Sequence, residues 1–146
     1  AYLITRLIIE AANMAKKGET LEHLITDLRE PKEEKELRFR ILDENFRPQG
    51  EKIISLFEEE AKNHANWSAC ADNYEGIRIN ADPSCGNGWF LLRLSVHDPI
   101  IVLNSESDEV GGILKMCSDV LDVISRADNI KKIDISSLKN YVAMEK

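Results

Sequence analysis

The sequence predicts an α+β fold: a four-stranded, mainly antiparallel sheet with two helices packed on one face, preceded by helices from the end of a previous domain. Three observations support this prediction. Apolar and polar residues alternate in several short stretches, as they do in strands with one buried face. In other stretches the apolar residues recur every three or four positions, which is typical of amphipathic helices. Tight turns between neighbouring strands favour antiparallel pairing.

Residues 1–30 are predicted to be helical. Apolar residues at helical spacing predict a helix over residues 1–16, which Gly18 ends. Thr20 can cap a second, short helix that ends before Pro31, because a residue preceding proline is disfavoured in the helical region. Since the chain opens inside a helical pattern, we assign residues 1–30 to the end of a preceding domain and a linker. Residues 31–146 then form the second domain.

The second domain opens with a predicted strand and a helix. Residues 31–35 are charged and are predicted to form a hinge without regular structure. Leu37, Phe39 and Ile41 alternate with charged residues, which predicts a strand with one buried face. Residues 46–50 are predicted to turn. The helix that follows has one apolar stripe, made of Ile53, Leu56, Phe57, Ala61 and His64.

Three further strands and a helix follow. The strands are predicted over residues 74–81, 89–94 and 99–104, with a turn at 82–88 that contains the hairpin signal Asn-Gly. Ser107 or Asp108 can cap the last helix, which has the clearest apolar stripe in the chain, from Val110 to Ile124. The paired glycines 111 and 112 favour a late helix start. Residues after 127 are predicted to form a tail with a short apolar patch.

Composition and charge exclude several function classes. The chain has 146 residues and a net charge of −7, so it is a poor candidate for binding nucleic acid or an anionic membrane surface. No apolar run approaches the roughly 20 residues that span a bilayer. Its three cysteines show no paired spacing, which favours an intracellular, reducing compartment, either cytoplasm or an organelle lumen such as the plastid.

No complete catalytic or metal-binding set is visible, so we expect neither catalytic residues nor metal ligands in this chain. A zinc site made of His64, Cys70 and Cys85 would lack the paired ligand spacing that zinc sites usually show. His64 lies on an amphipathic helix and is expected at the edge of the core. Cys117 lies on the apolar stripe of the last helix and is expected inside the core.

Residues 93–99 form the polar connection between two apolar strands. Arg93 can donate two parallel hydrogen bonds to a phosphate, and Ser95 and the loop N–H groups can complete an anion-binding nest. The alternative is a solvated hairpin in which Arg93 pairs with Asp98. The residues alone leave both possibilities open.

Three segments carry a family resemblance: EGIRI (75–79), GWFLLR (88–93) and RLSVHDP (93–99). Together, and in this order, they resemble the C-terminal, fourth domain of the α-D-phosphohexomutases, the phosphoglucomutases and phosphomannomutases. Residues 1–12 look like the last helix of that family's third domain. The resemblance extends from there to about Ala127.

The resemblance implies a substrate-phosphate site at residues 93–97, where the family has an RPSGTEP loop. Arg93 would grip the non-reacting phosphate, Ser95 would donate its hydroxyl, and Val96 would donate its backbone N–H. His97 stands where the family has threonine and would replace that donor. Leu94 replaces the first proline of the family motif.

The resemblance also implies a parent enzyme, an intramolecular phosphotransferase that interconverts hexose 1-phosphate and 6-phosphate. Its partners would be a phosphorylated hexose and the other domains of that enzyme. Its serine, sugar-recognition and Mg²⁺ loops lie outside this chain, so we expect no cofactor here and no activity from the chain alone. The alternative is a non-enzymatic phosphate-binding or protein-interaction domain that kept the mutase fold.

Overall fold

The computed structural model describes residues 2–128, 130 and 132–144. Two 3₁₀ turns lie at Leu21–Leu24 and Pro83–Cys85. The chain divides into two compact units, Ala1–Glu30 and Pro31–Lys146. The helices and strands, in chain order, are α1 (Tyr2–Ala15), β1 (Glu33–Ile41), α2 (Phe46–Asn63), β2 (Trp67–Ala69), β3 (Ile77–Ala81), β4 (Gly88–Leu94), β5 (Ile100–Ser107), α3 (Gly112–Arg126), β6 (Ile133–Asp134) and α4 (Ser136–Met144).

The first unit consists of α1 and one 3₁₀ turn. The predicted first helix is present, whereas the predicted second helix is only the turn Leu21–Leu24. The backbone N–H of Thr20 donates to Nδ1 of His23 at 3.0 Å, which closes the start of that turn. Large apolar side chains of α1 are exposed, namely Tyr2, Leu3, Ile4, Leu7, Ile8 and Ile9. That this unit belongs to a preceding domain stays a prediction.

The second unit is built on a six-stranded sheet in the order β2-β3-β4-β5-β1-β6, with antiparallel pairing throughout. The prediction of four strands was therefore wrong by two. The missed strands have three and two residues and lie at the two edges of the sheet. Such short strands are too brief for alternation to be visible, and only their pairing with β3 and β1 defines them.

The core lies on one face of this sheet, where α2 and α3 both pack. Alternation in β1 buries Leu37, Phe39 and Ile41 as predicted. Phe57 of α2 is fully buried among aromatic rings, with its centroid 6.2 Å from those of Trp67 and Phe90. Burial of such side chains is the main favourable contribution to the folding of this unit.

The segment predicted as a C-terminal tail contains a helix that belongs to the core. Leu138 and Val142 of α4 are 0% and 5% exposed and join the same apolar cluster. The helix packs against α3 and β1. It was missed because nine residues offer barely two turns in which a helical stripe could be recognised.

Three predicted boundaries differ from the structure. Residues 46–50 are the first turn of α2, and β1 already begins at Glu33 inside the predicted hinge. Neither Ser107 nor Asp108 caps α3. Gly111 precedes its first residue in the left-handed conformation, at φ +80°. The carboxylate of Glu33 accepts the N–H groups of Gly111 and Ile113, at 2.7 and 3.2 Å, so the cap comes from a distant strand.

No helix in the described ranges is both long and apolar enough to cross a bilayer.

Candidate phosphate-binding site

The polar connection 95–99 forms a tight hairpin turn between β4 and β5. The Ser95 N–H donates to the carbonyl of Ile100 at 2.9 Å, which extends the strand pairing by one residue. The Asp98 N–H donates to Oγ of Ser95 at 3.3 Å, and the Ile100 N–H donates to the Asp98 carbonyl at 2.7 Å. These hydrogen bonds fix the backbone of the turn and leave its tip, residues 96–98, in solvent.

Arg93 lies at the end of β4, on the sheet face opposite the core. It is half-buried and pairs in register with Val102 of β5. Within the described part of the chain its guanidinium has no hydrogen-bond partner, and no ion pair joins it to Asp98. The solvated alternative of the sequence analysis, an Arg93–Asp98 pair, is therefore not formed.

Ser95, Val96 and His97 follow Arg93 in the turn but differ in their surroundings. Ser95 is half-buried, and its hydroxyl accepts from Asp98 while its own proton is free to donate. Val96 is 65% exposed, and His97 is exposed. Among the described residues, no atom accepts the backbone N–H of Val96 or His97. Adjacent backbone N–H groups that have no acceptor within the protein can bind an anion.

Arg47, which the sequence reasoning missed, ties this turn to α2. Its Nη2 donates to the carbonyl of Val96 at 2.8 Å, across 49 residues of sequence. One helical turn after Arg47, Gly50 of α2 packs closely against Leu94, the last residue of β4. A Cβ at position 50 would lie 2.5 Å from Cδ1 of Leu94, so glycine permits this close approach. No sequence signal pointed to Arg47, because it lay in a predicted turn.

Two arginines of β1, Arg38 and Arg40, share the solvent-facing side of the sheet with Arg93. Arg38 and Arg93 both pair in register with Val102, on its two sides, so their Cα atoms are about 10 Å apart. Arg40 pairs with Ile100 at the start of β5. The alternation in β1 could have indicated this clustering, but the strand order was needed to place it beside Arg93.

The opposite end of the same sheet face is acidic. A groove of about 520 Å³ lies there, lined by Glu34, Lys35, Glu36, Trp89, Leu91, Asn104, Ser105 and Glu106. Trp89 closes one side: its Nε1 donates to Glu106 at 3.1 Å, and the Arg78 guanidinium stacks 4.2 Å from its ring centroid. The carboxylates of Glu34, Glu36 and Glu106 make this end of the sheet face less suited to a phosphate than the end that carries Arg93.

Glu36 lies between the acidic groove and the end of the sheet face that carries Arg93. Its carboxylate accepts Nε of Arg38 at 2.8 Å and Nδ2 of Asn104 at 3.1 Å. These hydrogen bonds, together with the nearby charges of Arg38 and Arg93, hold the pKa of Glu36 below its usual range. Arg38 is thus partly neutralised by Glu36, whereas Arg93 remains available to a ligand.

Magnesium finds no fitting site in the described residues. Their single cluster of three potential metal-binding side chains is His64, Cys85 and Asp119, on the core side of the sheet. A thiol and an imidazole do not suit Mg²⁺, which prefers oxygen ligands. Cys70, which the sequence reasoning had weighed with His64 and Cys85, lies instead against Asn80. No step of a reaction is therefore assigned to magnesium on this chain.

Comparisons with known proteins show a similarity in fold but no match in sequence. No family model matches the sequence, and no curated protein matches it. Among solved structures, the fold is similar to a phosphoglucomutase/phosphomannomutase family protein from Burkholderia thailandensis, with a TM-score of 0.52 and 16% sequence identity. The match covers 77% of this chain but only 21% of that protein. The chain therefore has the fold of about one domain's length of a phosphoglucomutase/phosphomannomutase family protein.

Proposed function

We propose that this chain is the substrate-phosphate-binding domain of a phosphoglucomutase/phosphomannomutase-like enzyme. The observation that carries the proposal is that the guanidinium of Arg93 has no hydrogen-bond or ion-pair partner among the described residues. It lies next to a turn in which the N–H groups of Val96 and His97 have no acceptor among those residues either. The similarity in fold to part of a phosphoglucomutase/phosphomannomutase family protein supports it. The resemblance of RLSVHDP (93–99) to that family's RPSGTEP loop supports it as well.

The phosphate would be held by charge and by directed donors. Arg93 would supply two parallel hydrogen bonds and a positive charge. Ser95 would add its hydroxyl proton, and the Val96 and His97 N–H groups would close the nest. The imidazole of His97 would add a donor in the place where the family has threonine. Arg47 would not touch the phosphate but would hold the Val96 carbonyl, and with it the orientation of the next N–H group.

In the parent enzyme, this domain would position the substrate and would help to close the active-site cleft. A phosphoserine outside this chain would transfer its phosphoryl group to the free hydroxyl of the sugar phosphate, giving a bisphosphate and a serine. After reorientation of the bisphosphate, its other phosphoryl group would return to the serine. Gripping the non-reacting phosphate would restrict the substrate to reactive orientations. The chain alone would be inactive.

The exposed apolar side chains of α1 support a place next to a further domain. A helix of this length is marginal in water without a packed apolar face. In the proposed enzyme, residues 1–30 would be the end of the third domain, and the rest of that domain would cover these side chains.

The proposal is tested by titrating the chain with glucose 1-phosphate while backbone amide shifts are recorded. We expect shifts at residues 93–97, and we expect Arg93→Ala to abolish them. Arg47→Ala leaves Arg93 in place and should weaken binding less. Arg126→Ala removes an exposed arginine at the end of α3 and serves as the control. Shifts elsewhere, or shifts that survive Arg93→Ala, would contradict the assignment.

The non-enzymatic alternative makes a different prediction for the same titration. A general phosphate-binding or protein-interaction domain has no reason to prefer a sugar. A phosphoserine peptide should then shift the same amides at a concentration no higher than that of glucose 1-phosphate. Tighter binding of the sugar phosphate than of the peptide favours the mutase proposal.

A further inference from the structure

Three side chains from three elements converge on the core side of the sheet, away from the proposed phosphate site. His64 follows the last residue of α2, Cys85 lies in the 3₁₀ turn before β4, and Asp119 lies in the middle of α3. One potential metal-binding atom of each lies within 4.8 Å of those of the other two. The three residues are far apart in the sequence, so only the packing of α2 and α3 on the sheet brings them together.

Local contacts hold each of these side chains in place. The His64 ring stacks on Trp67 with a centroid distance of 4.3 Å. The carboxylate of Asp82 caps the turn of Cys85, accepting the N–H groups of Ser84 and Cys85 at 2.8 and 3.3 Å. Asp119 is carried by a helix whose stripe is buried. A metal ion would therefore meet a set of ligands that is already assembled, with little conformational entropy left to lose.

We propose that His64, Cys85 and Asp119 bind a divalent cation of the zinc class. Zinc accepts nitrogen, sulfur and oxygen ligands together, whereas harder cations such as Mg²⁺ avoid thiolates. Three protein ligands leave a fourth position of the tetrahedron, which water or another small ligand can occupy.

A groove beside the cluster provides access to that fourth position. It has a volume of about 380 Å³ and is lined by His64, Asp119, Asp122, Val123, Ser125 and Arg126. His64 and Asp119 are half-buried, whereas Cys85 is 8% exposed and lies at the inner side. An ion could therefore enter from solvent and reach the thiol last.

Metal binding would exchange a proton for the ion. A bound divalent ion would take the place of the thiol proton of Cys85, which would pass to solvent, and would compensate the negative charges of the Cys85 thiolate and the Asp119 carboxylate.

Binding would require the imidazole of His64 to give up one hydrogen bond. Its Nδ1 accepts the Asn66 N–H at 3.3 Å, near the long end of hydrogen-bond distances. Coordination through Nδ1 would use the same lone pair, and coordination through Nε2 would move the ring proton to Nδ1. Either route exchanges a long, weak hydrogen bond for a metal–nitrogen bond.

The test uses the untagged chain, stripped of metal with a chelator and titrated with Co²⁺ as a spectroscopic substitute for zinc. We expect one equivalent to bind, with the intense d–d absorption of a tetrahedral site and a thiolate-to-cobalt charge-transfer band. Added Zn²⁺ should displace the cobalt. Cys85→Ser should abolish the charge-transfer band, whereas Cys70→Ser, which changes a cysteine outside the cluster, should leave the spectrum unchanged.

A second variant keeps the test decisive if Cys85→Ser fails to fold. Asp119→Asn alters a half-buried helix residue and should weaken zinc binding by more than about 100-fold, since even residues that only orient metal ligands contribute 10–100-fold. The melting temperature of the unmodified chain should rise with zinc, and that of Asp119→Asn should not rise at the same concentration. The absence of cobalt or zinc binding, or a charge-transfer band that disappears in Cys70→Ser, would overturn the proposal.

Discussion

At the scale of single residues, the surroundings of a side chain decide its chemistry more than its type does. Arg38 and Arg93 lie on the same sheet face, yet Arg38 is bound to Glu36 at 2.8 Å while Arg93 is left without a partner in the described ranges. The net charge of −7 does not oppose a local anion site, because the acidic side chains are distributed over the whole chain and three of them, Glu34, Glu36 and Glu106, line the other end of that face.

The cysteines provide a residue-scale prediction. Cys117 is 1% exposed, and burial raises the pKa of its thiol to about 12, whereas Cys70 is half-buried near the surface. Because the thiolate is the reactive form, we expect a thiol reagent to modify Cys70 and to spare Cys117 in the folded chain. Mass spectrometry of the alkylated chain checks this. Equal labelling of both cysteines under native conditions would show that α3 does not pack as described.

At the scale of elements, the start of α3 shows how a helix can depend on a strand far away in the sequence. Gly111 and Gly112 offer no side-chain cap, and the cap comes from Glu33 at the beginning of β1. A carboxylate at this place both accepts free N–H groups and interacts favourably with the helix dipole.

Glu33→Ala should therefore destabilise the chain by about 1 kcal/mol, the usual cost of losing an N-terminal cap. Glu34→Ala is the matched control, because Glu34 is the exposed neighbour and lies on the other face of β1. Urea unfolding followed by circular dichroism measures both changes in unfolding free energy. An equal effect of the two substitutions would mean that Glu33 does not cap α3.

At the scale of the whole molecule, the second unit depends on its C-terminal helix. Leu138 joins the apolar cluster that α2 and α3 form on the sheet, so α4 is part of the core rather than an appendage. The same packing of α2 and α3 produces the proposed metal cluster.

Leu138→Ala should destabilise the chain by roughly 2–5 kcal/mol, because it removes a fully buried side chain and leaves a cavity. Lys139→Ala changes the exposed neighbour on the same helix and should have little effect. Thermal unfolding of both variants gives the comparison. If Leu138→Ala melts like the unmodified chain, α4 does not contribute to the core.

The sequence by itself determined which residues face the core along β1 and most of those along α2 and α3, because alternation and helical spacing are local patterns that each element repeats. Val110 is the exception: it was predicted on the apolar stripe of the last helix but precedes α3 and is exposed. It also identified the polar connection that follows Arg93. The tertiary structure alone decided the edge strands β2 and β6, the capping of α3 by Glu33, the support of the turn by Arg47, and the meeting of His64, Cys85 and Asp119. Each of these depends on contacts between residues far apart in the chain, and such contacts leave no periodic pattern in the sequence.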